Sequence, residues 1–181
     1  MLQRDHRLKF EYERMEHLKS LSPFIEIRSI SPGNNLLPDR YEVTFTCKGL
    51  IKVSQGLAVS EFHRVLIYLH ADYPSQQPRI SWLTPIFHPN IKGYNVCLGR
   101  SWTPAMTLDE LCVILGEMIE YKLYNIEDPL DRDAAKAIER ILQQDPNFIP
   151  IDSRNLLGPE ADFDINLFAD NNQNDQVHVE E

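Results

Sequence analysis

No run of residues in this 181-residue chain is both long and apolar enough to cross a membrane. Charges are spread through Met1–Leu18, so that stretch reads as neither a signal nor a transit peptide, and the expected location is cytoplasmic. Cysteine is scarce: Cys47, Cys97 and Cys112 stand apart, with no Cys-x-x-Cys spacing. An odd, scattered set in a reducing compartment argues against a disulfide framework. Structural zinc lacks support too, because the six histidines form no HExxH pattern. Glycine numbers only seven, and no P-loop or Gly-rich phosphate loop occurs, so no cofactor is expected. An excess of basic residues is also missing. Of the formal net charge of -9, the stretch from Glu160 to Glu181 holds -7 with no Lys or Arg, leaving -2 on the rest. That body has no nucleic-acid footprint.

What is present suits one soluble domain of ordinary composition, 43% hydrophobic and 25% charged. Residues 5–20 have helical spacing, with Leu8, Tyr12, Met15 and Leu18 on one face, and Ser22-Pro23 ends the run. Four β-rich runs follow: Phe24–Ile30, Arg40–Cys47, His63–His70 and Arg79–Leu83. In the second, Tyr41, Val43 and Phe45 alternate with polar residues, as in a half-buried strand. Short connections between successive runs predict an antiparallel meander. Residues 84–106, rich in Pro, Gly and Asn, read as a long irregular loop, a kind of segment that usually carries function. Thr107 and Glu110 form a capping box that opens a helix with Leu108, Leu111, Cys112, Leu115 and Ile119 as its apolar stripe. A last helix is predicted over Asp131–Gln144, with Ala134, Ala137, Ile138, Ile141 and Leu142 inward. This order of elements gives an α+β domain over residues 1–150, followed by an acidic, disordered tail over 151–181.

The long loop is the place to look for chemistry. Cys47 ends an apolar strand and Cys112 lies on an inner helical stripe, so both read as small buried hydrophobes. Cys97 sits between polar turns, and Arg100 or a nearby helix N-terminus could favour its thiolate. His88 allows two readings: a base for a cysteine hydrolase, or a ring that holds the loop through backbone hydrogen bonds. The Pro89 that follows favours the second. Asn90 offers an amide that can tie down a loop or stabilise an oxyanion.

Tyr73-Pro74, Pro78, Phe87-His88-Pro89-Asn90-Ile91, Gly93, Val96-Cys97-Leu98 and Trp102-Thr103-Pro104-Ala105 together resemble the signature of ubiquitin-conjugating enzymes. The resemblance spans about residues 5–145 and implies the fold of that family. It also implies that Cys97 takes a ubiquitin-like C-terminus as a thioester from an activating enzyme and passes it to an amine. Asn90 then corresponds to the residue assigned to oxyanion stabilisation or loop ordering, and Asp128 to the acidic gate that orients an incoming lysine. A free lysine, with pKa ~10.4, needs that help to act as a nucleophile near neutral pH. Arg7 and Lys9 on the first helix are expected to meet the activating enzyme, whereas the plain reading of that face is a solvated one with pairs such as Arg7 and Glu11. Pro104 and Ala105 match the ligase-facing loop. The implied partners are a ubiquitin-like modifier, an activating enzyme, a protein substrate and, as an option, a ligase, with no membrane.

Several positions depart from the family pattern. Asn90–Cys97 and Cys97–Trp102 are short, Ser75 stands where a phenylalanine often packs against ligases, and Ala58–Phe62 replaces a Gly-rich turn. These mark a divergent member, and a prokaryotic one acting on a modifier other than ubiquitin is one reading of them. The alternative function is a non-catalytic module that binds a ubiquitin-like protein on the same fold.

Overall fold

The computed structural model describes residues 2–33, 36–99 and 102–158. Helix α1 (Leu2–Leu21) precedes strands β1 (Ile25–Ile30) and β2 (Arg40–Phe45), a hairpin of β3 (Gly49–Val53) and β4 (Gly56–Ser60), then β5 (His63–Tyr68) and β6 (Arg79–Trp82). Strands β7 (Ile91–Lys92) and β8 (Asn95–Val96) form a second small hairpin, and helices α2 (Leu108–Ile119) and α3 (Arg132–Gln144) follow. The main sheet is an antiparallel meander in the order β1-β2-β5-β6, built from the four runs read in the sequence. Its inner face carries Ile25, Ile27, Tyr41, Val43, Phe45, Val65 and Ile67, all buried. Period-two alternation does this work: Ile27 pairs with Val43 and Val43 with Val65, so all three point to one side. Helices α1 and α2 close the core over that face through Leu8, Met15, Leu18, Leu111 and Leu115.

Three features differ from the sequence reading. The β3–β4 hairpin occupies the connection between β2 and β5, and Ala58–Ser60 is its second strand rather than a turn; the turn lies before Gly56, whose φ of +124° suits glycine. A smaller cluster forms around it, with Leu50, Phe87, Tyr121, Ala134 and Ile138 buried together, and this seats α3. The long loop is not wholly irregular, because Ile91 pairs with Val96 and Lys92 with Asn95 around a tip at Gly93, φ +58°. Finally, packing continues beyond Pro150. Asp152, Leu156 and Leu157 are buried, Lys48 N–H donates to Asp152 at 2.8 Å, and Leu156 fills the space left by Gly116 on α2. A Cβ at Gly116 would lie 2.5 Å from Leu156 Cδ1. The rest of the expected acidic tail falls outside the described residues. Among the described residues, no helix is long and apolar enough to cross a membrane.

The inner face of α1 also differs. Tyr12 is only half-buried, whereas Glu11 is 0% exposed. Its carboxylate accepts from Arg7 Nε at 2.6 Å, from the Tyr73 hydroxyl, and from Leu108 N–H at 2.7 Å. The Leu108 N–H is a free donor of the first turn of α2, so a carboxylate there meets both a hydrogen-bond need and the positive end of the helix dipole. Burial pushes the Glu11 carboxyl above its ordinary range, while Tyr73, Arg7 and Leu108 pull it back. Beside it, Arg14 makes a two-point pair with Asp109, both bonds 2.7 Å. The Arg7–Glu11 pair expected on a solvated face is therefore part of a buried seam between α1 and α2.

Candidate functional site

The loop that carries the candidate residues is fastened by backbone at its start and at the tip of the small hairpin. Phe87 N–H donates to Leu50 O at 2.7 Å, and Trp82 N–H to Tyr94 O at 3.0 Å. Cys97 follows directly on β8, and its N–H donates to Asn90 O at 2.9 Å, so the small hairpin brings Asn90 opposite Cys97. With Lys92 paired to Asn95, the segment closes around a tip at Gly93-Tyr94.

A second loop lies against the first, and Asn90 joins the two. Asn90 Nδ2 donates to Asn125 O at 3.0 Å, and Asn90 Oδ1 accepts from Asn125 N–H at 2.7 Å. Asn125 Oδ1 in turn accepts the N–H groups of Glu127 and Asp128, at 2.8 and 3.2 Å. This is an Asx turn, which fixes the backbone at Asp128. Asn125 was not singled out from the sequence, although an Asn two to three residues before an acidic turn is a recognisable signal for that motif. Between the two readings for Asn90, these bonds favour loop ordering.

His88 is fully buried and committed on both ring nitrogens. Its Nδ1 accepts Asn90 N–H at 3.1 Å, and its Nε2 faces Leu123 O at 3.3 Å, as a donor. Burial drives its pKa down to about 4, so the ring is neutral near neutral pH. With neither nitrogen free, His88 is not placed to act as a base for Cys97, and the hydrolase reading loses its base. Tyr121, also missed in the sequence, packs its ring 4.8 Å from that of His88 and donates its hydroxyl to Phe87 O. It leaves α2 with φ 60°, a conformation that non-glycine residues rarely adopt. Pro89 is buried, and its carbonyl accepts Asp131 N–H at 2.8 Å, which ties the loop to the N-cap of α3.

These ties surround a cleft of about 160 Å³ lined by Cys97, Asn90, Asn125 and Asp128, with Ile114 and Met118 of α2 on its apolar side. Cys97 is partly exposed and Asp128 exposed, whereas Asn90 is buried beneath them. The other two cysteines are buried. Desolvation pushes the Cys47 thiol up to about 12 and the Cys112 thiol well above its ordinary value, so neither is a thiolate near neutral pH. The first turn of α2 serves Glu11 and does not line the cleft, which Cys97 shares with Ile114 and Met118 further along the helix. Arg100 lies outside the described residues.

The expected partner-facing residues divide. Arg7 is an internal strut, since beyond Glu11 it donates to Met106 O at 2.6 Å and to the Tyr73 hydroxyl at 3.1 Å. It therefore joins α1 to the turn that carries Pro104 and Ala105 and is not a free surface cation. Lys9, Pro104 and Ala105 are exposed. Among the described residues, no cluster of three or more His, Cys, Asp or Glu side chains could hold a metal ion.

A family model described as ubiquitin-conjugating enzyme matches residues 29–146. Over 71 residues the chain is 42% identical to the NEDD8-conjugating enzyme UBC12 of Saccharomyces cerevisiae, covering 36% of each chain. It is 33% identical over 95 residues to the NEDD8-conjugating enzyme ubc12 of Schizosaccharomyces pombe, covering 50% of this chain and 52% of that one. With the ubiquitin-conjugating enzyme E2 N of Drosophila melanogaster it shares 25% identity over 109 residues, covering 58% and 71%. The chain thus spans about a third to a half of the length of the two UBC12 relatives. The solved structure of S. cerevisiae Ubc12 superposes with a TM-score of 0.54 at 27% identity, covering 75% of this chain and 71% of that one. These relatives come from yeasts and a fly, and none supports a prokaryotic origin.

Proposed function

Because this chain belongs to the ubiquitin-conjugating enzyme family, we propose that Cys97 carries a ubiquitin-like protein as a thioester and passes it to an amine. The observation that supports this is the cleft itself, where the one cysteine that is not buried stands beside Asp128 above the Asn90–Asn125 lock. In the first step Cys97 Sγ attacks the modifier's thioester on the activating enzyme. A new S–C bond forms, the old one breaks, and the activating enzyme's cysteine leaves as its thiol. In the second step a neutral amine attacks the same carbonyl, an N–C bond forms, the S–C bond breaks, and Cys97 leaves as its thiolate. The exposed Asp128 carboxylate orients the amine and takes up its proton. Asn90 acts as a positioning residue, with both polar ends of its amide paired to Asn125. Ile114 and Met118 give the thioester a partly dry wall that limits hydrolysis.

The names of the similar UBC12 proteins favour a NEDD8-type modifier over ubiquitin. The test is intact mass after incubation with ATP, a matched activating enzyme and either NEDD8 or ubiquitin. A reductant-sensitive adduct on the wild type, replaced on Cys97→Ser by an adduct that resists reductant, is the expected result. Absence of any adduct with either modifier overturns the carrier reading and leaves a non-catalytic module that binds a ubiquitin-like protein. An adduct with ubiquitin alone overturns only the choice of modifier.

A further inference from the structure

The cleft at Cys97 does not stop at Asp128. That residue also lines a second groove, of about 360 Å³, formed by the loop at 126–129 and the outer face of α3. Charge along this groove is segregated. Asp128 stands where it meets the cleft, with Glu127 next to it on the groove, Arg132 and Lys136 lie on the helix, and Glu139 lies one turn further on. Among the described residues, none of these side chains makes an ion pair. Arg132 and Lys136 are both exposed. Arg132 opens the first turn of α3, at the positive end of its dipole, and Lys136 lies one turn further on, where at i,i+4 the two repel each other. Asp133 and Glu139 lie three residues either side of Lys136, yet neither is ion-paired with it, so both cations stay open to an anionic partner.

We infer that this groove holds the acceptor polypeptide, and that Arg132 and Lys136 select acceptors with two acidic side chains beside the acceptor lysine. The inference rests on the carrier reading of Cys97. The lysine ammonium is drawn to the Glu127–Asp128 end, next to the thioester, and the acids lie over the two cations. Four residues of helix advance about 6 Å. Alternate residues of an extended chain are about 6.6 Å apart and point the same way. The matching acceptor motif is acid-x-acid flanking a lysine, and basic flanks are repelled.

The full chain is first titrated, uncharged, with a lysine peptide carrying Asp-x-Asp on either flank, and with its Asn-x-Asn counterpart, while backbone amides are followed by NMR. Shifts at residues 132–136 with the acidic peptide, absent in Arg132→Glu/Lys136→Glu, are expected. The thioester-charged protein is then discharged onto the same peptides. A preference of about five-fold for the acidic peptide follows from two exposed ion pairs. In the charge-reversed variant the preference falls to one or inverts. Glutamates in the first turns suit the helix dipole, so loss of α3 is not the expected cause. Equal rates on both peptides with the wild type, or a preference that survives charge reversal, overturns the inference. If no thioester forms, the carrier reading fails before any peptide is added; the titration then decides the groove alone, and an α3 untouched by the acidic peptide overturns it.

Discussion

Two buried polar networks hold this molecule together at places where regular structure cannot, and they use different chemistry. The seam between α1 and α2 is ionic: Glu11 with Arg7, and Asp109 with Arg14, at 2.6–2.7 Å. The lock under the Cys97 cleft is neutral. It consists of the Asn90 amide, the Asn125 backbone, and an imidazole that burial keeps uncharged. A charged lock is strong only while every partner is present, because a lone buried ion is costly. A neutral lock orders the loops and adds no fixed charge beneath the sulfur, leaving the exposed Asp128 as the carboxylate of the cleft. The difference suggests that the seam sustains the fold and the lock sets the geometry of the site.

The largest effect is expected at the seam. Glu11→Ala strands Arg7 and uncaps Leu108 N–H, and should lower stability by about 3–5 kcal/mol. Urea unfolding reads this directly, and Glu11→Gln, which keeps the shape and one acceptor, should lose less. Asn90→Ala at the neutral lock removes two hydrogen bonds to Asn125 and should cost about 2 kcal/mol. Its distinguishing signature is functional: discharge of the thioester should slow by far more than its formation, whereas Glu11→Gln should leave the ratio of the two steps alone. A fall of both steps in parallel would remove the contrast between seam and lock.

The smallest effect concerns pH. His88 has a folded pKa of about 4, below the ordinary value of 6.5. Between those values the unfolded chain binds the proton more readily, so stability from this group is intact above pH 6.5 and is lost as pH falls toward 4. At pH 5.5 the loss amounts to about 1 kcal/mol. Glu120 works in the opposite sense, since burial raises its carboxyl to about 7 and its stabilising contribution fades as pH rises from 4.5 to 7. His88→Gln should therefore flatten the acid limb of stability against pH. In the wild type, the His88 ring should keep its Nε2–H tautomer by NMR from pH 5.5 to 8. An imidazole that titrates near 6.5 would show that the lock is not neutral.

The amino-acid sequence by itself determined the local order of this protein. Alternation in Tyr41–Phe45 made a strand with one wet face, the Asp131 side chain started α3, and the run from His88 to Ala105 marked the loop that borders the cleft. Such features depend on neighbours a few residues apart, and periodicity and turn chemistry record them. Only the tertiary structure decided what the polar residues do, because their partners are distant in sequence. Arg7 read as a surface cation and became a strut to Met106, 99 positions away. Glu11 read as half of a solvated pair and became the cap of a helix 97 positions on. Asn90 left two roles open until Asn125, 35 positions away, took both ends of its amide. The Leu156 contact with Gly116, 40 positions apart, was hidden for the same reason. Burial and hydrogen-bond partnership are properties of the packed chain, and no local pattern encodes them.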